Sequence, residues 1–238
     1  MEMKLLCKNV AKQKLASPSF ELIEFVASSG NDLVDLWETS PIRLESNEPN
    51  TCKIVEILFP GNPLLCCGWN RHHFDTRPRR NWHKLHDLRF IVPNPMTARQ
   101  GLTKDRKLSA HALSNTGPRR FLIVEFDFAQ GSTGEARLLG RLQGEGRDIR
   151  DLNAALLLHL AEKAPLALVV FSGAKSLHGW FYCENISDEN VSRFCRYAEA
   201  LGADRAHWIR SQFTRMPDGL RDNGKRQSVY FFNPGVVK

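Results

Sequence analysis

Residues 121–128 read FLIVEFDF, an apolar run that contains two acids. A β-rich apolar run of this length predicts a strand. Strand side chains alternate between faces, so Glu125 and Asp127 point to the same side, together with Phe121 and Ile123. Two neighbouring carboxylates repel each other in apolar surroundings unless a cation lies between them. The pair therefore predicts a divalent metal site, with ordinary polar alternation on a solvent-facing strand as the alternative.

The pattern that follows this strand predicts a β-α-β-β-α-β unit. Apolar residues recur at helical spacing over 148–164 and again over 187–201, where Ser187 caps the helix and Gly202 ends it. Further strands are predicted over 166–171, 176–183 and 228–232. This order is typical of a ferredoxin-like (RRM-like) antiparallel sheet with the helices on one face. We therefore expect an α+β fold in which the first and third strands are central neighbours and the second face is free to bear a site.

Several polar residues are predicted to lie near the two acids. Ser176 and His178 share one face of the third strand, and that strand should lie beside the strand of Glu125 and Asp127. Asp204 directly follows the second helix; alternatively, it is an ordinary turn residue. Basic residues then lead into the last strand, and opposite acids they suit the binding of phosphate groups. These are Arg215, Arg221 and Lys225, for which a basic surface hairpin is the alternative.

The positive charge is concentrated in one part of the chain. The protein has 238 residues, with 33 Lys and Arg against 26 Asp and Glu, and 12 of the basic residues but 3 of the acids lie in 71–120. A localised excess of this kind is typical of a surface that binds polyanions. Interleaved aromatic residues suggest a groove with stacking faces for a single-stranded template, whereas a structural lobe with core aromatics is the alternative. The candidate nucleic-acid-binding residues are Arg71, Arg77, Arg79, Arg80 and Trp82.

The sequence excludes several classes of protein. The longest uncharged run, residues 57–70, has 14 residues and contains two prolines, so we expect no membrane partner. No secretory signal is apparent, and the six cysteines have no framework-like spacing, so we expect reduced thiols in a cytoplasmic protein. Neither the P-loop motif nor the G-x-S-x-G motif of esterases occurs.

Together these residues resemble the archaeo-eukaryotic primase superfamily, and most of all the primase-polymerases of phages, plasmids and other mobile elements. The matching segments are 119–127, 172–180, 212–217 and 224–227. The resemblance covers about half of the chain, residues 119–234. It implies a two-lobed primase-like core, with an N-terminal α/β lobe over 1–118 that carries the basic template-facing region and an RRM-like catalytic lobe over 119–238.

The resemblance implies a DNA primase or primase-polymerase that joins nucleotides on single-stranded DNA by using two Mg²⁺ or Mn²⁺ ions. It makes Glu125, Asp127 and Asp204 the metal ligands and His178 a catalytic residue that holds nucleotide phosphates with Lys175 and Ser176. Arg215, Arg221 and Lys225 become further nucleotide contacts, and Asp218 stays open as an alternative third acid.

One position departs from the family pattern, because the first acid is usually Asp and this chain has Glu125. The resemblance leaves open whether NTP or dNTP is preferred, and it leaves room for a replicative helicase as a partner. The alternative function is a non-catalytic single-stranded nucleic-acid-binding module for replication initiation with the same fold.

Overall fold

The computed structural model describes residues 18–44, 49–70, 72–128, 133–174, 176–221 and 223–237. This part of the chain is mixed α and β, with two four-stranded antiparallel sheets, a two-stranded hairpin and six α-helices. The helices are α1 Phe20–Ala27, α2 Leu33–Glu38, α3 Thr51–Leu58, α4 Thr133–Gly144, α5 Ile149–Ala161 and α6 Asp188–Ala200. The strands are β1 Leu64–Gly68, β2 Phe74–Pro78, β3 Phe90–Ile91, β4 Gly101–Leu102, β5 Leu108–Ser109, β6 Phe121–Glu125, β7 Leu166–Phe171, β8 Leu177–Tyr182, β9 Thr214–Arg215 and β10 Val229–Phe232.

The predicted β-α-β-β-α-β elements are all present, and they form the sheet β10-β7-β8-β6. The first and third predicted strands, β6 and β8, are neighbours as expected. The prediction that both are central is wrong, because β6 lies at the edge of this sheet and β7 takes the central position. The outer side of β6 is already occupied near its end, where Phe126 pairs with Ala203 and the Asp204 amide donates to the Glu125 carbonyl at 2.8 Å. The last strand, β10, pairs with β7 instead.

One face of this sheet packs against helices, as the pattern predicts. Leu122 and Val124 of β6 share a buried apolar cluster with Leu157 of α5 and Phe194 of α6. Gly179 of β8 permits this close approach, because a Cβ atom at that position would lie 2.5 Å from Leu157 Cδ2. Helices α1, α2 and α4 contribute to the same cluster.

The opposite face of the sheet is covered rather than free, and the prediction of an open face is wrong. Phe121 and Ile123 of β6 and Trp180 of β8 are almost completely buried, in a second cluster with α3 and the sheet β2-β1-β3-β9. This face is covered because its side chains are apolar, and leaving them exposed to water would be unfavourable. The polar residues Glu125 and His178 pair at one end of this covered face.

The chain crosses between the two sheets several times. Strand β9, from the last part of the sequence, pairs with β3, while α1 and α2, from the first part, join the helical cluster over α5. The predicted division into lobes 1–118 and 119–238 stays a prediction of domain organisation. Within the ranges given above, no helix has the length and apolar character that crossing a membrane requires.

Candidate nucleotide site

The site is built around a pair of side chains at the end of two hydrogen-bonded strands. Glu125 of β6 lies opposite His178 of β8, and their side chains meet with 3.5 Å between Glu125 Oε2 and His178 Nε2. Their side chains are only 13% and 3% exposed. On its other side the imidazole reaches Thr214 of β9, with 3.1 Å between His178 Nδ1 and Thr214 Oγ1. The ring is therefore held from two sides, by one strand of each sheet.

The three groups have complementary hydrogen-bonding capacity. An ionised carboxylate only accepts hydrogen bonds, whereas a neutral imidazole donates from one nitrogen and accepts at the other. A proton on His178 Nε2 can be donated to Glu125, and His178 Nδ1 can either accept from the Thr214 hydroxyl or, in the imidazolium, donate to it. Thr214 is thus a residue of the site to which the sequence analysis gave no role.

Asp204 lies beside this pair because of the turn that ends α6. Gly202 has a φ of +89°, a left-handed conformation that favours glycine, and it directs the chain back to the edge of β6. The Asp204 amide donates to the Glu125 carbonyl at 2.8 Å. The Asp204 carboxylate accepts from the Ala206 amide at 2.8 Å and so caps the short 3-10 helix Arg205–Trp208. The structure therefore brings Asp204 next to Glu125 through backbone contacts.

Asp127 lies beyond the end of the strand. The strand predicted over 121–128 is shorter in the structure, because β6 ends at Glu125. Asp127 is exposed, whereas its neighbours Phe126 and Phe128 are buried. An exposed carboxylate is screened by water, so the argument from repulsion in apolar surroundings does not apply to it.

The three acids do not form a ready metal cage in this arrangement. Carboxylate oxygens are the ligands that Mg²⁺ prefers. In the described ranges, however, no group of three or more His, Cys, Asp or Glu side chains is positioned to hold a metal ion. The Asp204 carboxylate already serves as a helix cap. The described residues therefore do not fit a resident metal as they are placed.

Asp218, the alternative third acid, has a structural role. Its buried carboxylate accepts from the Asn50 amide at 2.6 Å, next to the start of α3, and from the Arg226 guanidinium at 3.2 Å. Its φ of +58° places it in a tight turn. By position, Asp204 is the better candidate, because it is the one bonded to the acid-bearing strand.

The predicted phosphate contacts surround the turn that precedes β8. The Ser176 hydroxyl donates to Ser172 Oγ at 3.1 Å, and Arg221 donates to the Ser172 carbonyl at 2.9 Å. Arg221 packs over Gly173, where a Cβ atom would lie 2.6 Å from Arg221 Cδ. Ser176 and Arg221 thus both contact Ser172, which lies six residues before His178 in the sequence. Lys175, predicted to lie on the same turn, is outside the described residues.

The two remaining basic candidates lie on other elements. Arg215 lies beside Thr214 on β9, with its guanidinium 5.1 Å from the centre of the Phe90 ring. Lys225 is exposed near the tip of the turn that links Leu220 to Arg226. Arg215 is therefore next in sequence to a residue that contacts His178, and Lys225 is on the loop that Arg221 begins.

The residues predicted to bind the template are largely engaged within the protein. Arg77 pairs with Asp75 at 2.7 Å and covers the Trp82 ring at 4.8 Å. Arg79 donates to Glu56 and to the Gly61 carbonyl and is only 10% exposed. Arg80 is exposed, and Arg71 lies outside the described residues.

Trp82 itself is a core residue. It is 6% exposed, and its indole nitrogen donates to the Leu65 carbonyl at 3.1 Å. A base cannot stack on a buried ring, so the prediction of Trp82 as a stacking face is corrected in favour of the structural alternative. The sequence alone did not distinguish the two, because an aromatic residue between arginines suits both.

Comparisons with known proteins give little further guidance. No family model matches the sequence, and no curated protein matches it. One solved structure that aligns with this protein is described as the polymerase domain from Mycobacterium tuberculosis ligase D in complex with DNA. The alignment covers 92% of this chain and 86% of the chain in that structure. The two sequences are 13% identical, and the TM-score is 0.35. Similarity at this level does not establish a common fold.

Proposed function

We propose that this protein is a template-dependent nucleotidyltransferase, a DNA primase or primase-polymerase that joins nucleotides on single-stranded DNA. The observation that carries the proposal is the side-chain pair of Glu125 and His178 at one end of a buried sheet face, where the Asp204 amide is bonded to the Glu125 carbonyl. The order of the sequence motifs that resemble primases supports it independently. The predicted partners, a single-stranded template and NTP or dNTP, belong to this proposal.

The cationic residues near this site suit a triphosphate. A nucleoside triphosphate is strongly anionic, so its binding needs fixed positive charge. The Arg221 guanidinium is held against the turn before β8 by its bond to the Ser172 carbonyl. This bond holds one guanidinium at the turn that leads to Ser176, and Lys225 is on the same loop as Arg221. We assign these residues to the incoming nucleotide.

The reaction itself requires the protein to control charge and protons. In nucleotidyl transfer a 3′-hydroxyl oxygen attacks the α-phosphorus, pyrophosphate leaves, and the hydroxyl proton must be accepted. Preorganised hydrogen bonds that favour the charge distribution of the transition state give most of the catalysis in such sites. We assign the proton acceptor to Glu125, whose carboxylate is mostly buried. The two contacts of His178 keep its ring in one orientation. The predicted use of Mg²⁺ or Mn²⁺ remains a prediction, and at least one such ion accompanies the nucleotide as part of the substrate.

A primer-synthesis assay tests this proposal. The protein is incubated with an unprimed single-stranded template, Mn²⁺ and either NTP or dNTP, and we expect products whose sequence follows the template. Glu125→Gln keeps the shape of the side chain but removes its charge, so it should reduce synthesis at least about a hundredfold. Glu162→Gln is the matched control, since Glu162 is 65% exposed at the end of α5. Absence of product, or equal activity of Glu125→Gln and wild type, would contradict the proposal.

The second candidate is a non-catalytic module that binds single-stranded nucleic acid. The specific observation in its favour is that the described acids form no three-ligand group, with Asp204 serving as a cap. A ligand that binds only the folded state raises the melting temperature. At a concentration of about a hundred times its Kd it adds about 2.7 kcal/mol to the free energy of unfolding. Stabilisation by Mn²⁺ together with a nucleoside triphosphate that is lost in Glu125→Gln favours the enzyme. Binding of DNA without any such stabilisation or synthesis favours the module.

A further inference from the structure

Strands β4 and β5 form a hairpin that belongs to neither four-stranded sheet. Its connection is closed by hydrogen bonds from the Thr103 amide to the Lys107 carbonyl at 2.9 Å and from the Lys107 amide to Thr103 Oγ1 at 3.2 Å. Arg106 occupies the left-handed region, with a φ of 57°. We refer to residues 99–109 as the basic hairpin. Its turn is defined by its own hydrogen bonds, so the hairpin is a formed structural element.

Two leucines of the basic hairpin are exposed side by side. Leu102 and Leu108 lie directly opposite each other in the antiparallel pair, so their side chains share one face. They are 54% and 69% exposed, and Leu113 nearby is 49% exposed. Single exposed apolar residues need no explanation, but a contiguous patch indicates a contact with a partner.

The leucine patch is accompanied by free positive charge. Arg99, Lys104, Arg106 and Lys107 are all exposed, and the structure gives none of them an ion pair with another described residue. With one acid, Asp105, the hairpin has a net charge of 4 − 1 = +3. Arg77 and Arg79, by contrast, are occupied by Asp75 and Glu56. Much of the positive charge that is available to a polyanion in the 71–120 region is therefore on this hairpin.

The residues that follow the hairpin pack against the segment that contains Thr214. Gly101 packs tightly, since a Cβ atom there would lie 2.9 Å from the Asn115 amide nitrogen. The His111 imidazole contacts the Ser211 carbonyl and stacks on Phe213, with 4.1 Å between the ring centres. Phe213 directly precedes Thr214, which contacts His178. The hairpin is therefore linked to the segment that contacts His178 through the packing of His111 on Phe213.

We propose that the basic hairpin is a contact for single-stranded nucleic acid, in which Leu102 and Leu108 pack against unstacked bases and the four cations contact phosphates. Proteins that hold single strands combine a basic surface with apolar faces for bases, and leucine is among the side chains that insert between bases. An anionic membrane would also attract cations and leucines, but two or three leucines offer little apolar area for insertion. This inference rests on the proposed function only for the nature of its partner.

Binding measurements without nucleotides test the proposal. Fluorescence anisotropy of a labelled single-stranded oligonucleotide is measured at several salt concentrations for wild type, for the charge variant and for the leucine variant. The charge variant is Lys104→Gln with Arg106→Asn and Lys107→Gln, since asparagine tolerates a positive φ. Its matched control, Arg137→Gln with Arg141→Gln and Arg196→Gln, removes the same charge from α4 and α6. All these positions are exposed, so melting temperatures should stay near that of wild type.

The charge variant should bind the oligonucleotide more weakly than wild type. The slope of log affinity against log salt should also be smaller by about 2, because three phosphate contacts are lost and each contributes about 0.7 to the slope. The control variant should keep the wild-type slope. The leucine variant, Leu102→Ser with Leu108→Ser, should lose about tenfold in affinity for the single strand and less for a matched duplex.

Wild-type binding by the charge variant would overturn the proposal. Binding of the same variants to vesicles of phosphatidylserine and phosphatidylcholine is measured as well. If the variants lose binding to the vesicles but bind the oligonucleotide like wild type, the proposal is also overturned. Hairpin-dependent DNA binding by a protein that makes no product in the primer-synthesis assay would sustain this proposal while contradicting the proposed function.

Discussion

Replacing Thr214 by valine removes one hydroxyl and keeps the branched shape of the side chain. The hydroxyl is 3.1 Å from His178 Nδ1, in a place where Thr214 is 1% and His178 3% exposed, so no water is available to replace it. Leaving a buried polar atom without its partner costs about 1–3 kcal/mol. For a chain of this size each kcal/mol lowers the melting temperature by about 2–4 °C, so Thr214→Val should melt about 2–12 °C lower. Thermal unfolding followed by circular dichroism measures this change.

Two further variants identify the cause of the loss. Thr214→Ser keeps the hydroxyl and loses one methyl group, so it should retain the orientation of His178 and lose only about 1 kcal/mol of packing. In a protein that already carries His178→Ala, the change Thr214→Val should have almost no additional effect, because the hydroxyl would have lost its partner. If Thr214→Val is equally destabilising with and without His178, the hydroxyl does not act through the imidazole and the description of the site is wrong.

Three other predictions follow from buried groups. Burial raises the pKa of Cys66 to about 12, so iodoacetamide at pH 8 should modify the exposed Cys52 first and reach Cys66 only in denaturant, as peptide mass mapping would show. Gly179→Ala places a methyl group 2.5 Å from Leu157 Cδ2 and should cost about 1–3 kcal/mol in urea unfolding; an effect no larger than that of an exposed glycine would refute this. Burial lowers the pKa of His111 below its ordinary value of 6.5, so on acidification the unfolded chain takes up the proton before the folded protein does. The free energy of unfolding should therefore fall as the pH drops below about 6.5, by at most about 1.4 kcal/mol per pH unit. The variant His111→Gln should show a smaller loss.

The secondary structure of the second half of the chain was predictable because its signals are local. Apolar runs bounded by turn residues predicted β7 at its observed bounds, and the capping Ser187 marked the start of α6. Helix α4 was missed, since three glycines in twelve residues lower its intrinsic helix propensity. Burial of Leu138 and Leu142 in the helical cluster stabilises it instead, and that contribution depends on tertiary packing.

The same distinction explains the errors in the basic region. A count of charges treats every arginine alike, whereas the structure separates Arg79, which donates to Glu56 and Gly61, from Lys104 and Arg106, which project from a hairpin. Partners such as Glu56 lie 23 residues away in sequence, so no local pattern reveals the pairing. The sequence therefore predicted a basic surface but placed its contacts largely on side chains that the fold already uses.

The choice of the third acid shows most clearly what sequence reasoning lacks. The sequence favours Asp204 over Asp218 on one local feature alone, which is that Asp204 directly follows a predicted helix. The difference arises at the edge of β6, where the Asp204 amide donates to the Glu125 carbonyl, whereas the Asp218 carboxylate accepts from the Asn50 amide before α3. Both contacts are long-range, and each depends on which segment fills a vacant strand edge or an uncapped helix. Because β10 pairs with β7 rather than with β6, the outer edge of β6 is open to the residues that follow α6. The strand order that contradicts the prediction is thus also the reason that Asp204 lies next to Glu125.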